Sequence, residues 1–138
     1  MKVFFDTNVV LDVLLDRKPF YHDSVALWTM AEHGTITGVI AAISCTNIAY
    51  IITRLQHRTA ARKALSALRD VFTIAATDAQ VISQAMDARF DDFEDAVQYF
   101  TALHAGADSI VTRNAIHFPR SGCPVVSPTE FLAGQSDA

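Results

Sequence analysis

Only two cysteines occur in the chain, Cys45 and Cys123, far apart and outside any CxxC or histidine-linked metal spacing. That leaves no disulfide framework and no zinc-finger type of site, and two thiols in an ordinary composition read as reduced. No apolar run approaches the ~18 residues that cross a bilayer. The start is no secretory leader either, because Met1-Lys2-Val3-Phe4-Phe5 meets Asp6 after three apolar residues. The expectation is a cytoplasmic protein with no membrane association. Positive charge is also short. The formal net charge is −4, so nucleic acid would have to be held by a local basic patch, not by the field of the whole molecule. There is no internal repeat, linker or low-complexity segment.

What is present is apolar: 51% of 138 residues are hydrophobic, nine of them Phe. That excludes a disordered chain and gives one well-packed domain. We expect it to span 1–134, with 135–138 frayed.

The order of elements follows from local pattern. Val3-Phe4-Phe5 is an unbroken apolar run, a strand buried on both faces. It ends in Asp6-Thr7-Asn8, and Val9, Val10, Val13 and Leu14 then repeat at helical spacing. A second helix is expected over His22–His33, stopped by Gly34, and a second strand over Thr35–Ile43. Helical spacing resumes at Ile48, Ile51, Ile52 and Leu55, with Asn47 and Tyr50 near its start. Thr59 is a candidate cap for a separate helix through Leu68, and Val71–Ala75 reads as a third strand. Thr77-Asp78-Ala79-Gln80 is a capping box opening a helix to about Arg89. The next helix carries Phe93, Val97, Phe100 and Leu103 toward the core and ends at Gly106. Ser109-Ile110-Val111 and Pro124-Val125-Val126 are the last strands, and Ser127-Pro128-Thr129-Glu130 starts a final helix. Strands alternating with helices give a three-layer α/β/α sandwich around a mainly parallel sheet of four to five strands.

Three polar groups fall at carboxyl ends of strands or at the helix starts beyond them. They are Asp6-Thr7-Asn8, the acids Asp91, Asp92, Glu94 and Asp95, and Thr112-Arg113-Asn114. If the first and fourth strands are neighbours, all three meet at the sheet edge where ligands bind. Asp92 and Asp95, three apart, project from one side of their helix. Clustered carboxylates raise one another's pKa, and a hard divalent ion, Mg²⁺ or Mn²⁺, relieves that repulsion. Such an ion activates water and neutralises a phosphoryl group, which is chemistry for cutting a phosphodiester. Each group also has a plain structural role: an Asp after a strand is often a cap, and acids at a helix start complement its dipole.

At this point the residues resemble a family. Phe5-Asp6-Thr7-Asn8-Val9-Val10-Leu11-Asp12 is similar to the opening of PIN domains. Asp92-Phe93-Glu94-Asp95-Ala96-Val97-Gln98-Tyr99 resembles their second acidic motif, and Ala107-Asp108-Ser109-Ile110-Val111-Thr112-Arg113-Asn114 their closing strand. The resemblance implies a metal-dependent ribonuclease acting on single-stranded RNA, often the toxin of a toxin–antitoxin pair and often a homodimer. By motif match Asp6 and Asp95 are the main metal ligands, with Asp92 auxiliary. Asn47, followed by Tyr50, stands where many PIN domains carry Glu, which resembles an Asn-x-x-Tyr branch; its amide oxygen would help to orient a metal-bound water. Arg113, Asn114, Thr7 and Asn8 are the candidate substrate contacts. His117 stands where an Asp is usual and lowers the negative charge facing a second metal, so one metal is expected.

Arg54, Arg58 and Arg62, with His57, Lys63 and Arg69 nearby, form a basic stripe if their helix is continuous, able to hold a phosphate backbone. A solvated helix face is the alternative. Two other functions compete. A PIN-like domain that binds RNA or a partner protein without cutting is compatible with Asn47 and His117. Aspartyl phosphotransfer is not supported: no Lys follows Lys63, and Asp6-Thr7-Asn8 lacks a second Asp two residues on.

Overall fold

The computed structural model describes residues 1–120 and 122–136. Strand β1 (Lys2–Phe5) is followed by α1 (Thr7–Leu14) and α2 (Tyr21–Glu32). Then come β2 (Thr37–Ala41), α3 (Ala42–Leu55), α4 (Arg58–Val71) and β3 (Thr73–Ala75). Helices α5 (Ala79–Asp87) and α6 (Phe93–His104) lead to β4 (Ser109–Val111), a short 3-10 turn at Ala115–His117, β5 (Val125–Val126) and α7 (Pro128–Ser136).

All five strands pair in parallel in the order β3-β2-β1-β4-β5. Alternation along a strand sends successive side chains into opposite layers. Val3 and Phe5 of β1 join Ile40 of β2 in the core under α1 to α4 and α7. Phe4 joins Val39, Ala41 and Ile110 in the second core, against Ala102 of α6. The three-layer sandwich expected from the alternation of elements is the fold observed. From β1 the chain moves outward to β2 and β3, then returns past β1 to β4. The crevice between β1 and β4 is therefore the switch point of the topology.

Several boundaries moved, each for a local reason. The turn into α3 comes directly at Ala42, so Ile43 belongs to the helix and not to β2. Val71 ends α4, because Phe72 turns inward to meet Phe5 and Trp28 edge-on, at 4.9 and 5.1 Å between ring centres. Gly38 makes room for it: a Cβ there would stand 2.7 Å from the Phe72 ring. The cap of α5 is Asp78, which accepts from the Val81 amide at 3.0 Å; Thr77 instead meets Thr101, and α5 stops at Asp87. On α6 the buried face is Asp95 to Tyr99 with Thr101 and Ala102, whereas Phe93 and Leu103, expected inward, are exposed. The α7 capping box is reciprocal, Ser127 and Glu130 each accepting from the other's amide. The helix runs to Ser136, and of the expected tail at 135–138 residues 137 and 138 lie outside the described residues. Among the described residues no helix is long and apolar enough to cross a membrane.

Candidate active site at the carboxyl edge of the sheet

The register aligns Phe5 with Val111, so the next residue on each strand, Asp6 and Thr112, leaves the sheet side by side. Asp6 stands at the N-cap of α1 but makes no side-chain cap bond. Its carboxylate takes a hydrogen bond from Thr112 Oγ1 at 2.7 Å instead, and the residue is 2% exposed. The same Thr112 hydroxyl accepts from the Asn114 amide at 3.1 Å, which fixes the start of the loop beyond β4. Capping therefore does not explain Asp6.

Among the four acids before and within α6, capping explains one. Asp92 is the N-cap and accepts from the Asp95 amide at 3.2 Å. Asp91 lies before the helix and is exposed. Asp95 is buried, with His117 Nδ1 3.7 Å from its Oδ2. Burial raises Asp95 to about 6, and the charges of Asp6, Asp92 and Glu94 push the same way against His117. Asp6 is also raised, by burial first and by Asp92, against the Thr112 bond and the Arg113 charge. Glu94 is raised by burial and by Asp6 and Asp92, so it belongs to the same field. Asp6, Asp92, Glu94 and Asp95 thus share one cleft and repel one another.

Behind the acids lie two supporting networks that the sequence did not reveal. In the first, Thr7 Oγ1 and Ser44 Oγ are 2.7 Å apart, and Ser44 bonds in turn with the Gln98 amide group at 3.0 and 3.3 Å. All three are buried, and they tie the starts of α1 and α3 to α6 one turn beyond Asp95. Thr7, expected to touch substrate, spends its hydroxyl inside this network. In the second, Asp12 is fully buried between Arg17 Nε at 2.9 Å and Arg113 Nε at 2.8 Å. Burial still raises Asp12 against both guanidinium charges. Arg113 also lies over the Phe20 ring at 4.1 Å, beside a cavity of about 300 Å³ lined by Pro19, Phe20, Asp23, Ser127, Pro128 and Thr129. Gly and Pro apart, such partners carry no local signature: nothing in a Ser or Gln codon-by-codon says which distant helix it will meet.

The remaining candidates are placed as follows. Asn8, in the first turn of α1, and Asn114, on the loop beyond β4, are both half-buried. Asn47 is half-buried but lines a separate groove with Ile43, Thr46, Thr77 and Ile82, and bonds to none of the acids. Because α3 begins at Ala42, the polar side chain in its first turn is Ser44, with Asn47 one turn further on. Tyr50 is 62% exposed and accepts from Arg54 at 3.1 Å, so it is not core. The basic stripe is interrupted: α3 ends at Leu55, and His57, not Thr59, caps α4 by accepting from the Ala60 amide.

By donor chemistry the cluster suits a hard divalent cation, since it offers carboxylate oxygens and no thiolate. The mutual repulsion is what such a cation would relieve. Among the described residues no three His, Cys, Asp or Glu side chains are placed together so as to hold a metal ion.

The chain matches the PIN domain family over residues 2–115. Among solved structures it is similar to VapBC2 from Rickettsia felis bound to a promoter DNA fragment, with TM-score 0.68, 16% identity, and 92% of this chain and 98% of that one covered. A toxin–antitoxin complex from Klebsiella pneumoniae gives TM-score 0.66 and 22% identity over 91% and 97%. Mycobacterium tuberculosis VapC20, described as a sarcin–ricin loop cleaving toxin, gives 0.62 and 18% over 78% and 86%. No curated protein matches at the same stringency.

Proposed function

This chain belongs to the PIN-domain family, and from that premise we propose that it is a Mg²⁺- or Mn²⁺-dependent endoribonuclease cutting single-stranded RNA. The observation that carries this reading is the pairing of Asp6 with Asp95. Both are buried carboxylates delivered from different elements to one cleft, each held above its ordinary value by burial and by other acids. A fold does not keep that arrangement for stability, because burying like charges costs free energy. Asp6 and Asp95 would hold the metal, with Asp92 assisting. When bound, the metal supplies an activated water and charge neutralisation at the phosphate.

The chain's own residues do the positioning. Thr112 fixes one oxygen of Asp6, and the Thr7–Ser44–Gln98 network holds α6, hence Asp95, against α1. Asp12 and Phe20 hold Arg113 near enough to Asp6 to offset its charge, and the outer guanidinium nitrogens are our candidate phosphate contact. Asn8 and Asn114 flank the cleft as further substrate contacts, and Asn47 helps from one turn beyond Ser44.

We also propose a toxin role with an antitoxin partner, in line with the VapBC complexes to which the chain is similar. Exposed Ile43, Tyr50, Leu55 and Met86 supply apolar surface for that partner or for a homodimer. The test is cleavage of a labelled single-stranded RNA by the purified chain with Mn²⁺, and its loss in chelator and in Asp6→Asn. The competing reading, an RNA- or protein-binding PIN domain that does not cut, takes over if Mn²⁺ titration gives no binding at millimolar metal.

A further inference from the structure

A cavity of about 230 Å³ lies between the segment joining α5 to α6 and the 3-10 turn beyond β4. It is lined by Arg89, Phe90, His117, Phe118 and Pro119. It adjoins the acids through one side chain, since the His117 in its wall is 3.7 Å from Asp95. On the other side, Phe90 is two residues ahead of Asp92, the N-cap of α6.

Two features of the lining suit one kind of ligand. Arg89 is exposed and makes no ion pair or hydrogen bond with any described residue. Phe90 is half-buried among Tyr99, Phe100 and Phe118, at interplanar angles of 74°, 58° and 90°, so no neighbouring ring lies flat on it. A free guanidinium beside an aromatic wall is how single-stranded nucleic acid is held: the cation follows the phosphates and the ring stacks on a base. At ~30 Å³ of liquid per water the cavity has the room of about eight waters, which suits one base and not two.

Resting on the ribonuclease reading above, we infer that this cavity is the subsite for the nucleotide adjoining the scissile phosphate. Its base enters against Phe90 and His117, and Arg89 holds the phosphate beyond it. Arg113, fixed by Asp12, and Arg89, unpaired, then contact the strand on either side of the acids.

The test uses the full chain carrying Asp95→Asn, which prevents cutting, and a short single-stranded RNA with 2-aminopurine placed at successive positions. Quenching of the probe at a single position is expected. Phe90→Leu, which keeps the apolar volume, should abolish that quenching, and Arg89→Ala should weaken binding about tenfold and lower the salt slope by about one. Equal quenching at every position, or affinity within twofold of the parent in Arg89→Ala, overturns the subsite. Arg89 is exposed, so that variant decides the matter even if Phe90→Leu does not fold. The ribonuclease reading fails by a different result: no cleavage of the unlabelled RNA by the unsubstituted chain with Mg²⁺ or Mn²⁺, whatever the probe reports.

Discussion

The two walls of the acidic cleft are built to different standards. The strand-end wall is finished: Asp6 is bonded to Thr112, and behind it Asp12 is locked between Arg17 and Arg113, with Phe20 under the latter. The α6 wall is not. Asp92 and Glu94 are exposed, and buried Asp95 has His117 3.7 Å from its carboxylate as its one ion-pair partner among the described residues. Each acid of the first wall has a hydroxyl or guanidinium partner within the protein, while the second is held in excess negative charge. The first wall fixes geometry; the second keeps an unmet demand for a cation, and an active site needs both.

The largest effect should come from removing a carboxylate from either wall. Asp6→Asn or Asp95→Asn is expected to lower kcat/KM for single-stranded RNA by about 10²–10³-fold. Normal cleavage by both variants would leave the site assignment without support. Next comes the finished wall's own foundation. Asp12→Asn leaves the partly exposed guanidinium groups of Arg17 and Arg113 without their buried counter-charge, and we expect a loss of about 2 kcal/mol in chemical denaturation. A loss under 1 kcal/mol would mean that the wall is not locked as the distances imply. Smaller again is Thr112→Val, which keeps the side chain's shape and removes the bond to Asp6. Activity should drop about 10–100-fold with the melting temperature nearly kept, as when a ligand loses its outer partner.

The same contrast explains how much was legible in the sequence. Val3-Phe4-Phe5 followed by Asp6 announces a buried strand and a polar strand end, and parallel alternation then leaves few sheets to choose from. Parallel alternation carries the polar groups of Asp6 and Asp95 to one edge, and the resemblance to PIN-domain motifs singled out these two acids. The partners could not be named: Ser44, Gln98 and Asp12 act through contacts 37 to 101 residues away in the chain, set by helix rotation and not by spacing. Asn47 shows the limit well. Named from a family resemblance, it lies one turn beyond Ser44, whose contacts to Thr7 and Gln98 no local pattern announces. On α6, four apolar residues at helical spacing suggested the buried face, yet Gln98 and Thr101 are buried and Phe93 is not. Hydrophobic period locates a helix; polar contacts decided how this one is turned.

The smallest expected effect is the one that tests the unfinished wall directly. Asp95 sits at about 6 in the fold against an ordinary 3.8, so the folded state holds this proton more tightly than the unfolded chain does. The sign follows: ionising Asp95 costs the fold nothing below about pH 4, and the cost grows through the interval up to about 6 and is complete above it. Allowing for its partial exposure, the full cost is on the order of 2 kcal/mol. Asp95→Asn should therefore melt several degrees above the parent in chelator at pH 7.5, and the gap should close as the pH falls to 4. Added Mn²⁺ should narrow it at pH 7.5 by stabilising only the parent. An Asp95→Asn variant less stable than the parent at neutral pH would mean that the α6 wall, like the strand-end wall, is already satisfied within the protein, and the contrast between the two would fail.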